Sequence, residues 1–263
     1  MARVEGEAGR YAVEQVGKYW TWGVLACFAA TMVCGVLLGF ALAMKNPWVG
    51  WGTIAAQLGV FWAVMALLRK FDKDMSSWRR GYDGETMVGR KLAAELPDSF
   101  RVIHDLQTPC GNLDHVVIGP TGVFVIETKN WRGWVTADGK GELLLNGKPS
   151  GNHVRSLYGR MMEIKKRWVP LTLTTRDAKE GPRHYIRAVM VFSSAYEDTS
   201  WGTTQSINCI SIASVPDYFT KMQKEQHRLS NAEVDTFARA FLALARMDKG
   251  FTSPDAEPTA STK

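Results

Sequence analysis

The stretch Asn112-Leu113-Asp114-His115-Val116-Val117-Ile118-Gly119-Pro120-Thr121-Gly122-Val123-Phe124-Val125-Ile126-Glu127-Thr128-Lys129-Asn130-Trp131-Arg132-Gly133 decides how this chain is read. Two runs rich in β-branched residues flank Gly119-Pro120-Thr121-Gly122, the pattern of a β-hairpin. If Gly119 pairs with Gly122, the register sets Asp114 across from Glu127 and Asn112 across from Lys129. A four-residue loop closed by Ile118 and Val123 gives the same pairs, whereas a three- or five-residue loop abolishes them. Directly opposed residues project from one face with Cβ atoms roughly 5 Å apart.

Two carboxylates held that close repel each other, and a cation relieves the repulsion. Mg2+ takes oxygen ligands and is held by one or two carboxylates together with water and phosphate oxygens. Lys129, two residues beyond Glu127 on the same strand face, adds a positive charge beside such an ion. The plainer alternative is an exposed polar strand face that carries an acidic pair by chance.

Outward from the hairpin, composition sets the frame. The 263 residues leave room for one or two domains, and the net charge of +6 suits an anionic partner, either nucleic acid or a lipid surface. Cys27, Cys34, Cys110 and Cys209 are scattered without a Cys-x-x-Cys pair, which excludes a zinc signature or a disulfide framework. Reduced thiols are the expectation. His104, His115 and His184 lack metal-ligand spacing and read as structural.

Residues 1–19 read as a short polar arm. Trp20–Met44 and Val49–Leu68 are uncharged and each long enough to span a bilayer. Arg3, Arg10 and Lys18 precede the first span; Arg69, Lys70, Lys73, Arg79 and Arg80 follow the second, with only Lys45 between. The positive-inside rule then puts both ends of a transmembrane hairpin (20–70) in the cytoplasm, at the plasma membrane. Gly35 with Gly39, and Gly52 with Ala56, offer small-residue steps for packing the two spans.

A charged connector (71–80) leads to a second unit, 81–249. Val88, Leu92 and Leu96 mark the buried stripe of a helix, and Glu85 shares that stripe or sits in an exposed first turn. Strands are expected at Phe100–His104, in the hairpin, at Glu142–Leu145 before the Asn146-Gly147 turn, at Ile186–Phe192 and at Ile207–Ile212. His153–Val169 reads as a basic helix, with Leu157, Met161, Ile164 and Trp168 as its apolar side. Ser230–Met247 reads as a closing helix with a Ser-x-x-Glu capping box. The tail 250–263 has the composition of a disordered segment.

A helix opening Gly81-Tyr82-Asp83-Gly84-Glu85, followed by Leu113-Asp114-His115-Val116-Val117-Ile118-Gly119-Pro120-x-Gly122-Val123-Phe124-Val125-Ile126-Glu127-Thr128-Lys129, closely resembles the nuclease-related domain (NERD) family. That family is similar in turn to the restriction-endonuclease-like PD-(D/E)xK superfamily. The resemblance is densest over 81–133 and looser through about Met247. It implies an α/β fold, a mixed β-sheet flanked by helices, and a metal-dependent nuclease centre. By position, Asp114 and Glu127 match the metal-binding carboxylates, Lys129 the motif lysine and Glu85 the helical glutamate. Leu113 stands where the superfamily has proline. Asn152 or His153 would stand in for the family's orienting glutamine.

The resemblance thus implies phosphodiester hydrolysis with Mg2+ or Mn2+ held by Asp114, Glu127 and Glu85, Lys129 assisting the attack or stabilising charge. Arg132, Arg155, Arg160, Lys165 and Lys166 would track a nucleic-acid backbone, DNA before RNA. Trp131 and Trp134 either stack on unpaired bases or pack on the sheet. A non-cleaving nucleic-acid-binding module and a membrane scaffold binding anionic lipid or a protein partner stand as rival readings.

Overall fold

Apolar runs as unbroken as Val116–Ile118, Val123–Ile126 and Ala188–Phe192 cannot leave either strand face in water, so a sheet built from them needs cover on both sides. A computed structural model of the chain meets that demand. It describes residues 1–44, 47–168, 186–197, 203–204, 207–222 and 229–246. Lys45, His184, the ends of the two predicted helices at Val169 and Met247, and the tail from Gly250 lie outside the described residues.

The chain divides into two units, one made of residues 1–9 with those from 83 onward, the other of 10–82. In the larger unit a seven-stranded mixed sheet has the order β1-β2-β3-β4-β8-β11-β10. Its strands are β1 (Arg3–Glu5), β2 (Arg101–Thr108), β3 (Gly111–Gly119), β4 (Gly122–Lys129), β8 (Ile186–Phe192), β10 (Thr203–Thr204) and β11 (Ile207–Ser211). β2, β3 and β4 are antiparallel neighbours, while β8 lies parallel to both β4 and β11. The β4–β8 crossover carries β5 (Trp134–Ala137), β6 (Leu143–Leu145), β7 (Lys148–Pro149) and helix α3 (His153–Glu163). Those three strands and β9 (Tyr196–Glu197) form a second small sheet.

Alternation along the strands sorts the core into two layers. Val116, Ile118, Val123, Val125, Ala188 and Met190 face α3 and the closing helix (Asn231–Arg246), which supplies Val234, Phe237 and Phe241. Val117, Phe124, Ile126, Val189 and Val191 face the other way, onto Val88, Leu92 and Leu96 of the helix Pro47–Glu95 and onto Phe219 of the helix Val215–Met222. We number the helices α1 (Arg10–Met44), α2 (Pro47–Glu95), α3, α4 (Val215–Met222) and α5 (Asn231–Arg246).

Two segments differ from the sequence reading. Residues 1–19 do not form a separate arm: Arg3–Glu5 pairs in parallel with β2, and α1 begins at Arg10. Residues 71–80 are not a separate connector, because α2 runs unbroken through them. Other expectations hold. Gly119 pairs with Gly122 around a two-residue loop, Asn146 and Gly147 both turn with positive φ, and β8 has the anticipated bounds. Ser230 and Glu233 exchange the reciprocal bonds of a capping box at the start of α5. The basic helix is α-helical only to Glu163 and closes in a π turn, Ile164–Trp168.

In the smaller unit, α1 and the first part of α2 meet through the edge contacts Tyr11–Trp78 and Tyr19–Phe71 and a bond from Gln57 Nε2 to the Cys34 carbonyl. Both helices are long and apolar enough to cross a bilayer, and no residue of their most apolar windows is buried. The glycine steps do not pack them: a Cβ added at Gly35, Gly39 or Gly52 would meet nothing within 4 Å. Aromatic side chains make the contacts instead.

Glycine is required at position 119 for a different reason, since a Cβ there would fall on the fully buried Phe100 ring. Gly119→Ala should therefore cost about 1–3 kcal/mol in chemical denaturation, partly recovered by Phe100→Leu; an unchanged midpoint would refute the contact.

His104 and His115 are cross-strand partners with Nδ1 atoms 2.8 Å apart, so one ring donates and the other accepts. His115 Nε2 is buried without a partner. Donation from His115 Nδ1–H to His104 Nδ1 is the better arrangement, because it leaves only a lone pair orphaned. Burial pushes His104 down to about 4 and, with the His104 charge, His115 well below its usual value. Unfolded histidines take up protons near 6.5 while the folded pair does not. The stability this pair confers is complete above that pH and lost as pH falls toward 4. The denaturation midpoint should drop accordingly, with neither ring titrating by NMR between pH 5 and 7.5 in the folded chain.

Candidate functional site

The hairpin ladder stops one pair short of the two acids. The last β3–β4 pair is His115 with Ile126. Beyond it β3 keeps β2 as partner, while Glu127, Thr128 and Lys129 pair with Met190, Val191 and Phe192 of β8. Asp114 fills the fork: its Oδ2 accepts the Thr128 N–H at 2.7 Å, a bond that a carbonyl would otherwise take. On the other side of β3, Asp105 is missing from the β2–β3 ladder between the pairs His104–His115 and Leu106–Leu113. It adopts φ 52, a left-handed conformation that aspartate tolerates better than most residues. Its Oδ1 accepts from Asn112 Nδ2 at 2.8 Å.

Glu127 and Lys129, two residues apart, share one face of β4, but the expected cross-strand pairs Asp114–Glu127 and Asn112–Lys129 do not form, because β3 and β4 part before them. Glu127 is held by two cations: Lys129 Nζ lies 2.7 Å from Oε1, and Arg160 of α3 lies 2.7 Å from Oε2. Arg160 also donates to the Asn112 carbonyl at 2.7 Å. Burial alone would raise the Glu127 carboxyl, but the two cations outweigh it and hold it below its ordinary value.

Glu85 arrives from the opposite layer. A Cβ on Gly84 would stand 2.7 Å from the Asn130 Cβ and 3.0 Å from Ser193 Oγ, so only glycine lets α2 come this close to the ends of β4 and β8. The next residue is then beside the carboxylates rather than in solvent. Burial first, then repulsion from Asp105 and Glu127, pushes Glu85 up to about 7, and its Oε2 is buried without a hydrogen-bond partner. Burial, then Glu127 and Glu85, raises Asp114 well above the usual carboxylate range.

The site thus joins Glu85, Asp114, Glu127 and Lys129 of the sequence reading. Arg160 belongs with them and not with a free backbone-tracking face, because its guanidinium is committed to Glu127. Its position three residues after Leu157 and four before Ile164 already put it on the buried side of the helix. Asp105 was missed; apolar Ile103 and Leu106, three apart in one strand, were the available sign of a broken alternation. Glu142 was the second omission. Its carboxylate accepts the N–H groups of Val154 and Arg155 and so caps α3, the helix that delivers Arg160.

The remaining residues divide. Arg132, Arg155 and Lys166 are exposed, and Lys165 is partly buried. Asn152 is the exposed N-cap of α3 and makes no side-chain cap bond. His153 sits closer in, its Nε2–H donating to the Ser150 carbonyl at 2.9 Å; burial, then the Lys129 charge, lowers its pKa. Trp131 packs on Phe192 and His153, whereas Trp134 is 61% exposed.

As placed, no three His, Cys, Asp or Glu side chains among the described residues converge closely enough to enclose a cation. The donor chemistry nonetheless suits a hard divalent ion: carboxylate oxygens, one of them orphaned, in mutual repulsion.

The raised Glu85 carboxyl has a measurable consequence. Between pH 4.5 and about 7 the folded chain binds this proton more tightly than the unfolded one, so stability from this group is lost as pH rises through 7. Glu85→Gln should raise the denaturation midpoint at pH 8 in divalent-cation-free buffer and leave it unchanged at pH 4.5; equal midpoints at pH 8 would refute the crowding.

Residues 80–193 match the family described as nuclease-related domain, NERD. An uncharacterized protein of Bacillus anthracis is 41% identical over 150 residues, covering 54% of this chain and 54% of that protein. The chain therefore spans about half the length of the curated relative it matches. No solved structure matches it. Every side chain of the charged cluster described above lies inside the matched stretch, residues 80–193.

Proposed function

We propose that this protein is a membrane-anchored, metal-dependent nuclease that hydrolyses phosphodiester bonds of nucleic acid, DNA before RNA. The observation that carries the reading is that Glu85, Asp114 and Glu127 lie within electrostatic reach of one another and of Lys129, inside the stretch that matches the nuclease-related domain. Pure structure has no use for such crowding, since burying like charges together costs stability.

Asp114, Glu127 and Glu85 would hold Mg2+ or Mn2+. When bound, the ion supplies Lewis-acid stabilisation of the charge developing on the phosphate and acidifies water. The chain's own groups do the rest. Asp114 is oriented by the Thr128 N–H, so its free oxygen has one direction. Lys129 Nζ, now on Glu127, is placed to stabilise negative charge on a phosphate oxygen. Arg160 keeps Glu127 ionised and fixed. The exposed Arg155 and Lys166 of the α3 region attract the backbone without reading sequence.

Anchoring rests on the two apolar helices and on Trp20, Trp22, Trp48 and Trp51, exposed near their starts as interfacial tryptophans are. Arg3, Arg10 and Lys18 before the first and Arg69, Lys70 and Lys73 after the second favour a cytoplasmic nuclease-related domain. One observation favours a second reading, a non-cleaving nucleic-acid-binding module: both Glu127 oxygens are occupied by cations.

One assay separates the two. The purified protein is incubated with linear, circular and single-stranded DNA in Mg2+ or in EDTA. The nuclease reading expects products only with Mg2+, none from Glu127→Ala, and a fall of about 10²-fold or more in kcat for Lys129→Ala. Retained DNA binding without any product from wild type on all substrates establishes the binding module instead.

A further inference from the structure

A cavity of about 400 Å3 opens between the end of β4 and the β6–β7 turn, lined by Trp131, Leu145, Asn146, Lys148, Ser150 and His153 among others. We infer that it receives one unpaired base of the nucleic acid, which makes single-stranded or frayed nucleic acid the substrate class. The inference rests on the nuclease reading for the strand and adds the form in which the strand is bound.

Position is the first argument. Trp131 follows Lys129 by two residues, so their Cα atoms are at most about 7 Å apart. His153, on the cavity wall, feels the charges of Lys129 and Glu127. A phosphate at the carboxylates therefore has a neighbouring base within reach of the cavity.

The walls are the second argument. The Trp131 ring is braced by Phe192, with centroids 5.6 Å apart, and edge-on by His153 at 5.0 Å. His153 is itself fixed through Ser150. The facing turn is rigid, since Asn146 and Gly147 both hold positive φ and Asn146 Oδ1 accepts the Trp134 N–H. A braced aromatic in a concavity stacks on a base without first losing its own freedom. Lys148 adds a cation for the adjoining phosphate.

Concavity is the third. A base inside a duplex is stacked on both faces, so its π-face cannot reach a ring that lies within a pocket of this size; only an unpaired or extruded base can.

The test uses the full chain in detergent with Ca2+, and fluorescence anisotropy of a short fluorescein-labelled oligothymidylate and of a duplex of equal length. Wild type should bind the single strand at least about tenfold more tightly than the duplex. Trp131→Ala, and Leu145→Trp, which fills the cavity, should each lose about tenfold on the single strand and less than twofold on the duplex. Thermal melting of each variant checks folding; if Trp131→Ala does not melt cooperatively, Leu145→Trp decides alone. Equal wild-type affinity for both probes, or variant losses that are absent or equal on the two, overturns the inference. If those results come with Glu127-dependent cleavage, the nuclease reading survives and only the base pocket falls. If neither probe binds wild type, both fall.

Discussion

Everything at the site depends on one interruption of a hydrogen-bond ladder. β3 and β4 run as a paired hairpin from Gly119–Gly122 to His115–Ile126 and then part. A parting hairpin leaves a backbone N–H without a strand partner, a cost of roughly 1–3 kcal/mol when buried. The Asp114 carboxylate removes that cost by accepting from Thr128. The same bond ties Asp114 to the backbone of the strand that carries Glu127 and Lys129. β4 is then free to continue beside β8, so those two side chains are presented at the carboxyl end of a parallel pair. In open α/β sheets, ligand sites gather at such ends, where the strand order switches direction.

Charge is balanced there with deliberate incompleteness. Lys129 and Arg160 compensate Glu127, whose pKa falls. At Asp114 and Glu85 burial and the neighbouring carboxylates outweigh the Lys129 charge, so their pKa values rise. Three carboxylates within one domain are thus driven in opposite directions by the cations each one reaches. Perturbations of this kind cluster at functional sites.

Two helices bring the outlying members in, each by a local device. α2 approaches the sheet because Gly84 carries no side chain against Asn130 and Ser193. α3 is aimed by Glu142, which takes its first N–H groups and leaves Arg160, two turns on, against Glu127. Both devices join layers that are distant along the chain. The smaller unit obeys a simpler rule: its helices bury none of their most apolar stretches and touch through aromatic edges and the Gln57–Cys34 bond.

With a two-residue loop, period-two spacing admits one hairpin register and puts Glu127 and Lys129 on one face of β4, but neither the loop length nor the parting of β3 from β4 before Asp114 and Glu127 was set by spacing. The apolar runs demanded a sheet covered on both faces, and charge-free stretches of spanning length defined the two long helices. Spacing could not show that Asp105 leaves the β2 alternation, since its positive φ accompanies a break in the β2–β3 ladder that only strand pairing reveals. Nor could it show Arg160 closing on Glu127, thirty-three residues away, or Gly84 admitting Glu85 to the site. Each of these depends on which layer lies against which. Local sequence determines the period and hand of an element; only packing between layers decides which charges meet.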